Sequence, residues 1–277
     1  MIDHHNLQLG KKTKYISKYD RNLLTPIKRD YGRKEIKTLT NNVSFFGEDI
    51  WNLYELSWLN KNGVPQVAIG EVKIDSNSIN KIESKSFKLY LNSFNQTFFD
   101  SIDIVRDLIK EDLSACAEGN VLVKLANLSE CKVISLINFD GISIDNNNII
   151  INTYDYSPEI LENATKNNQP VITECLVTNL LKSNCLVTNQ PDWGSVLISY
   201  KGTKINRDIL LKYIISFRNH NEFHEQCIER IFSDLLFYCK PLELCVYGRY
   251  TRRGGLDINP WRSTNNLKIE NLRLLRQ

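Results

Sequence analysis

Apolar and polar positions along the chain mark out its elements before anything else does. Residues 64–74 (VPQVAIGEVKI) read as a strand, and residues 121–128 and 133–137 read as two more. In residues 87–94, Phe87, Leu89 and Leu91 alternate with Lys88, Tyr90 and Asn92, which predicts another strand. An aromatic-rich stretch, residues 45–59, ends at the turn Asn62-Gly63. Residues 98–117 carry Phe98, Ile102, Val105, Leu108, Ile109 and Leu113 as a helical stripe, stopped by Gly119-Asn120. In the second half, residues 171–187 are extended and residues 195–200 (SVLISY) alternate as a strand. Helical patterns follow over residues 207–217 and 221–238, then strands over 242–250 and 255–261.

The same order of strands and helix in both halves points to a duplicated α+β module. Residues 1–40 read as an irregular, basic arm with Gly10, Pro26 and Gly32 as breakers. The first module is expected over 41–138 and the second over 171–277. Between them residues 139–170 are rich in Asn and Asp, a shift in composition that predicts a loose linker.

Composition narrows the class. The chain has 277 residues, room for about two cores. Its 42% hydrophobic and 24% charged residues are those of an ordinary soluble protein. A net charge of +3 without a dense Lys/Arg run argues against direct nucleic-acid binding. There is no signal-peptide core and no run of membrane-spanning length, so a cytoplasmic protein is expected. Seven scattered cysteines form no C-x-x-C pair, which suggests neither a disulfide framework nor a zinc ribbon.

Four stretches carry candidate chemistry. In KSNCLVTNQPDWGS, Cys185 precedes Asp192 by seven residues. A thiol needs a base or proton partner to act as a nucleophile, and Asp192, between Pro191 and Trp193, is placed to serve. Taken alone, a buried cysteine before a Pro-Asp turn is the commoner arrangement. In ESKSFKLY, Glu83, Ser84, Lys85 and Ser86 gather a carboxylate, hydroxyls and an ammonium; a solvated strand start is the plainer reading. In HNEFHEQCIE, His220 and His224 stand four apart, but His-x-Glu-x-His matches neither zinc pattern, and His224 falls on the apolar stripe. Glu225, in the first turn, would be kept ionised by the helix dipole and is suited to adjacent N–H donors. In YTRRGGLDINP, Arg253 and Gly254 suit a phosphate, or equally a tight turn with solvated arginines.

Together these four stretches resemble the NADPH-dependent 7-cyano-7-deazaguanine reductases of queuosine biosynthesis, in their long two-module form, over nearly the whole chain. The resemblance implies two tandem tunnelling-fold modules, antiparallel sheets with helices packed on one face. It also implies a homodimer, the small molecule 7-cyano-7-deazaguanine as substrate, NADPH as co-substrate and no metal. By position, Cys185 would add to the nitrile carbon and Asp192 would protonate the nitrogen. His224 and Glu225 would hold the deazaguanine, with Glu83, Ser84 and Lys85 also on the substrate. Lys85, Ser86, Arg253 and Gly254 would contact NADPH.

Nitrile to amine takes four electrons, hence two hydrides, and a covalent thioimide accepts hydride better than a free nitrile. There is no G-x-G-x-x-G, so the nucleotide is not held in a Rossmann manner. The alternatives are a zinc-dependent pterin-forming cyclohydrolase on the same fold, a thiol nitrilase that hydrolyses instead of reducing, and a non-catalytic purine-binding module.

Overall fold

The computed structural model describes residues 15–39, 44–131, 136–166 and 169–277. The first fourteen residues of the expected arm, the expected boundary at 40–41, residues 133–135 of an expected strand and residues 167–168 of the expected linker lie outside them. In chain order the elements are β1 (Pro26–Lys28), α1 (Arg29–Arg33), β2 (Phe46–Leu59), β3 (Pro65–Asp75), β4 (Asn80–Ile82), α2 (Ser84–Asn92), α3 (Ile102–Ala117) and β5 (Val121–Asn127). There follow β6 (Leu136–Ile137), β7 (Ile142–Ser143), β8 (Val171–Asn184), β9 (Pro191–Thr203), α4 (Arg207–Ser216), α5 (His224–Cys239), β10 (Glu243–Tyr250), β11 (Leu256–Ser263) and β12 (Arg273–Leu274). The class is α+β with predominantly antiparallel pairing, as the strand–helix pattern predicts.

Two compact units are built from interleaved stretches. One comprises Met1–Gly32, Glu48–Ser135 and Arg252–Ile258; the other comprises Arg33–Gly47, Leu136–Thr251 and Asn259–Gln277. In the first, β2 and β3 form a hairpin with Trp51 opposite Val72, and β5 pairs on the far side of β3 with Val123 opposite Val72. Trp51, Leu53 and Val72 pack with Phe87 and Tyr90 of α2 and with Val105, Ile109 and Leu113 of α3. In the second, β8 and β9 form the hairpin and β10 pairs antiparallel with β9. Leu176, Val196, Ile198 and Val246 meet Leu210 and Ile214 of α4 and Ile228, Ile231 and Leu235 of α5. Each unit is thus a hairpin, two successive helices and a returning strand.

The strand expected over 87–94 is instead α2. Tyr90 is not a polar surface position: it is fully buried, and its hydroxyl donates to Asp112 at 2.8 Å. With Tyr90 inside, Phe87, Tyr90, Leu91 and Phe94 fall at i, i+3, i+4 and i+7, one helical face. The described part of the N-terminal arm is ordered too. β1 pairs with β4, and Ile27 and Ile36 are buried. Residues 139–170 contain β7 and a 3₁₀ turn over Pro158–Asn163, and Ile144, Leu161 and Ala164 belong to the core of the second unit. Their Asn/Asp-rich surroundings mask three core residues.

Candidate active site

In the second unit the β8–β9 hairpin and the first turn of α5 bring four of the expected residues to one end. Leu181, Ser183 and Cys185 alternate along β8 and its exit, and all three are buried. On β9, Asp192 sits directly across from Ser183, and Asp192, Gly194, Ser195 and Val196 are buried. Cys185, just past the end of β8, and Asp192 on β9 are thus both buried at this end of the hairpin. The loop is closed at Cys185, whose N–H donates to the Gln190 carbonyl at 2.8 Å and whose carbonyl accepts from Asn189 N–H at 3.1 Å.

Backbone bonds stitch this loop to the segment before α5. Asn184 N–H donates to His220 O at 2.8 Å, and Glu222 N–H donates to Asn184 O at 3.0 Å. His224 opens α5, and its Nε2 lies 3.2 Å from Asp192 Oδ1. Glu225, the second helical residue, is 4% exposed, with its carboxylate in the turn where the helix dipole favours negative charge. The buried Nδ1 of His224 has no hydrogen-bond partner. His220 does not share a helical face with His224, because α5 begins only at His224 and His220 caps a preceding 3₁₀ turn. It contacts Glu222 instead, at 3.2 Å.

Three residues of this site carry no sequence signal. Glu222 and Arg230 form a buried ion pair, with Arg230 Nη2 2.7 Å from Oε1 and Nε 3.0 Å from Oε2, and it ties the 220–223 segment to α5. Burial opposes the Glu222 charge, but the bonds from His220 and Arg230 outweigh it and hold the carboxyl below its ordinary value. Tyr250, at the end of β10, stacks flat on His224 with centroids 3.9 Å apart and planes 3° apart. Elsewhere burial pushes the thiols of Cys239 and Cys245 up to about 12 and that of Cys116 to about 11, which makes them poor nucleophiles.

In the first unit, Glu83 is the N-cap of α2. Its two carboxylate oxygens accept the N–H groups of Lys85 at 2.9 Å and Ser86 at 2.7 Å. Burial raises its pKa above the ordinary value, against the pull of those two donors. Ser86 is fully buried, its hydroxyl donating to Glu83 O and accepting from Thr25 N–H. Ser84 and Lys85 are half-buried at the helix start. Arg253 precedes and Gly254 opens the two-residue turn leading into β11, closed by Arg253 N–H to Leu256 O at 2.9 Å. Both central glycines have positive φ, +61° at Gly254 and +79° at Gly255, which the tight turn requires. A Cβ on Gly254 would stand 2.9 Å from Lys88 Nζ, so this turn lies directly against α2, one helical turn beyond Lys85. Arg252 stacks over Tyr54 at 4.8 Å. Lys88 and the Glu55 carboxylate pack on the two glycines of the turn, with Lys88 Nζ 3.3 Å from Glu55 Oε2. Arg252 and Arg253 immediately precede them, and guanidinium groups suit the phosphates of a nucleotide. Among the described residues, no group of three or more His, Cys, Asp or Glu side chains is placed to hold a metal ion.

Known proteins match on both units. Residues 15–125 match the family described as "Nitrile reductase, 7-cyano-7-deazaguanine-reductase N-term", which takes in Glu83 to Ser86. Residues 191–268 match the family "QueF-like protein", which takes in Asp192, His224, Glu225, Arg253 and Gly254; Cys185 falls just before it. Among solved structures, an apo archaeosine synthase QueF-Like aligns at 13% identity and a TM-score of 0.31, over 36% of this chain and all of its own. The two family matches together take in well over half of the residues. With the first on the hairpin-and-α2 half and the second running from Asp192 past the glycine turn, the chain belongs to the 7-cyano-7-deazaguanine reductase family of nitrile reductases, in its two-module form.

Proposed function

We propose that this protein reduces the nitrile of 7-cyano-7-deazaguanine to the primary amine, 7-aminomethyl-7-deazaguanine, with two NADPH per turnover, in the cytoplasmic synthesis of queuosine. The observation that supports the reading is the burial of Cys185 and Asp192 at one end of the β8–β9 hairpin, with Asp192 3.2 Å from His224, which opens the helix that carries Glu225. Cys185 adds through sulfur to the nitrile carbon, forming one C–S bond while the C≡N bond loses one π bond. Asp192 takes up the proton that leaves the thiol and delivers it to the nitrogen, so the product of addition is a neutral thioimide with no leaving group expelled. Glu225 takes the N–H donors of the pyrimidine edge in a charge-assisted pair, and His224 holds the base beside Asp192. Glu83, Ser84 and Lys85 complete substrate binding. Lys85, Arg253 and Gly254 contact NADPH; Ser86, expected there too, is buried with its hydroxyl bonded to Glu83 O and Thr25 N–H, and its part is to anchor the turn that presents Lys85. NADPH, when bound, supplies one hydride for each two-electron stage. No metal takes part, and the working form is a homodimer.

The test is direct. Protein mixed with the nitrile and no NADPH gains, by intact mass, the whole mass of the nitrile, and peptide mapping places it on Cys185. Addition of NADPH then consumes two equivalents per nitrile. An adduct on another cysteine, or turnover surviving in Cys185→Ala, overturns the assignment. Hydrolysis of the nitrile without NADPH would make the protein a thiol nitrilase.

A further inference from the structure

We propose that Tyr250 is a positioning residue that fixes the imidazole plane of His224 toward Asp192. Tyr250 is fully buried, and its ring lies parallel to the imidazole, 3° off, with the centroids 3.9 Å apart. Aromatic pairs more often meet edge-on or offset, so a flat stack this close fixes the plane of the smaller ring. The hydroxyl does not explain the residue. It has no hydrogen-bond partner within geometric range and lies beside the Cys227 thiol, a weak acceptor. The neighbours make room for the ring. Gly194 is the cross-strand partner of Tyr250, and a Cβ there would stand 3.2 Å from its Cε1; a Cβ on Gly248 would stand 3.4 Å from its Cε2. Gly194 is two residues from Asp192, so one strand carries both the carboxylate and the space for the ring that aims His224 at it.

An imidazole is otherwise free to turn about χ2, a broad torsion. Held flat, it keeps Nε2 on Asp192 Oδ1 at 3.2 Å and leaves the buried Nδ1 as the nitrogen without a protein partner. The 3.2 Å contact is not a formed hydrogen bond, but between turnovers an Nε2–H facing the Asp192 carboxylate is attracted and a bare lone pair there is repelled, so the held ring selects the Nε2–H tautomer. The catalytic consequence rests on the nitrile-reductase reading; the tautomer does not.

The test uses the full chain with ¹⁵N-labelled histidine. Long-range nitrogen–proton spectra, with His224 assigned by its loss in His224→Gln, are compared for the parent, Tyr250→Phe and Tyr250→Met. Methionine fills the volume without a planar face. The parent and the Phe variant show His224 as a single Nε2–H tautomer, and the Met variant shows averaged nitrogens. In the reduction assay the Met variant loses about tenfold to a hundredfold in kcat, the scale of a misplaced group, with KM for NADPH unchanged, and Phe restores it. Should the Met variant not fold, Gly194→Ala displaces the same ring and is read the same way. A single tautomer retained in the Met variant, or averaging in the Phe variant, overturns the proposal. If the parent reduces no nitrile, the function above fails while the spectra still decide the role of Tyr250.

Discussion

Glu222→Ala removes the anion from the Glu222–Arg230 pair, and the structure sets the size of the effect. Both side chains are buried, at 3% and 6% exposure. Arg230 meets the carboxylate through Nε and Nη2 at 2.7 to 3.1 Å. Breaking such a pair by deleting one partner costs about 3–5 kcal/mol, because the remaining charge is buried and uncompensated. Arg230 keeps a bond from Nη1 to Glu35 O at 3.3 Å and lies over the Tyr156 ring at 4.9 Å. Those contacts place the expected loss at the lower end, about 3 kcal/mol. With a urea dependence of roughly 3 kcal/mol per molar for a chain of this size, the midpoint falls by about 1 M. Trp193 and Trp261 belong to the affected unit and report the transition by fluorescence. The double variant Glu222→Leu/Arg230→Met should recover most of the loss, since replacing both ions by apolar groups is often neutral or better. The pH dependence has a definite sign. The folded carboxyl lies below its ordinary value of 4.5, so its contribution is present above about pH 4.5 and is lost as pH falls from there toward the folded value. The gap between parent and Glu222→Ala should therefore be constant near neutrality and close on acidification. A midpoint shift under about 0.2 M at neutral pH, or no recovery in the double variant, would refute the claim that this pair holds the start of α5.

Asp192→Asn keeps the shape of the site but cannot deliver a proton, so kcat should fall by roughly 10²–10⁴-fold, while the intact-mass adduct on Cys185 still forms, more slowly. Glu225→Ala should weaken binding of the deazaguanine by about 1.5–3 kcal/mol, read by calorimetry with a base that lacks the nitrile. Unchanged affinity there would remove Glu225 from the substrate. Arg253→Ala should raise KM for NADPH far more than KM for the nitrile; equal use of NADH by the parent protein would end this role for the glycine turn.

Much of the fold was legible because its core positions are apolar and regularly spaced. The extended stretches that become β8 and the middle of β9, the helices α4 and α5, and the strand β3 follow from the apolar pattern, and their buried faces carry Leu, Ile and Val; that β8 and β9 pair as a hairpin does not. The pattern fails where a core position is filled by a residue with a polar atom. Tyr90 counted as polar turns the α2 helix into a strand, although its hydroxyl has the buried acceptor Asp112 and its ring lies 5.2 Å from that of Phe94. Composition fails in a related way over 139–170. Ile144, Leu161 and Ala164 are too sparse among Asn and Asp to form a stripe, yet each reaches the core, because an irregular segment needs only single anchors. No local signal announces that residues 252–258 return to the first unit. That is a long-range contact set, with Gly255 O accepting from Tyr54 N–H at 3.0 Å.

The site divides along the same line, between what residue type declares and what packing decides. A cysteine, an acid and a His-Glu pair are visible as chemistry in any sequence. The groups that orient them are invisible until the chain is folded. Glu83 reads as a solvated charge, yet it is 1% exposed with both oxygens on backbone N–H groups, so its removal bears on the start of α2 before it bears on any ligand. Glu222 reads as one more acid in HNEFHE and is the anchor of the segment leading to His224. Tyr250 reads as the last residue of a strand and is stacked on the imidazole. In each case the residue holds a neighbour through a bond that joins separate elements, and spacing along one element carries no trace of it. Substitutions at Glu222 and Tyr250 should therefore act on the placement of His224 and leave the Cys185 thiol available for addition. That separates them from Asp192, whose loss touches the proton itself.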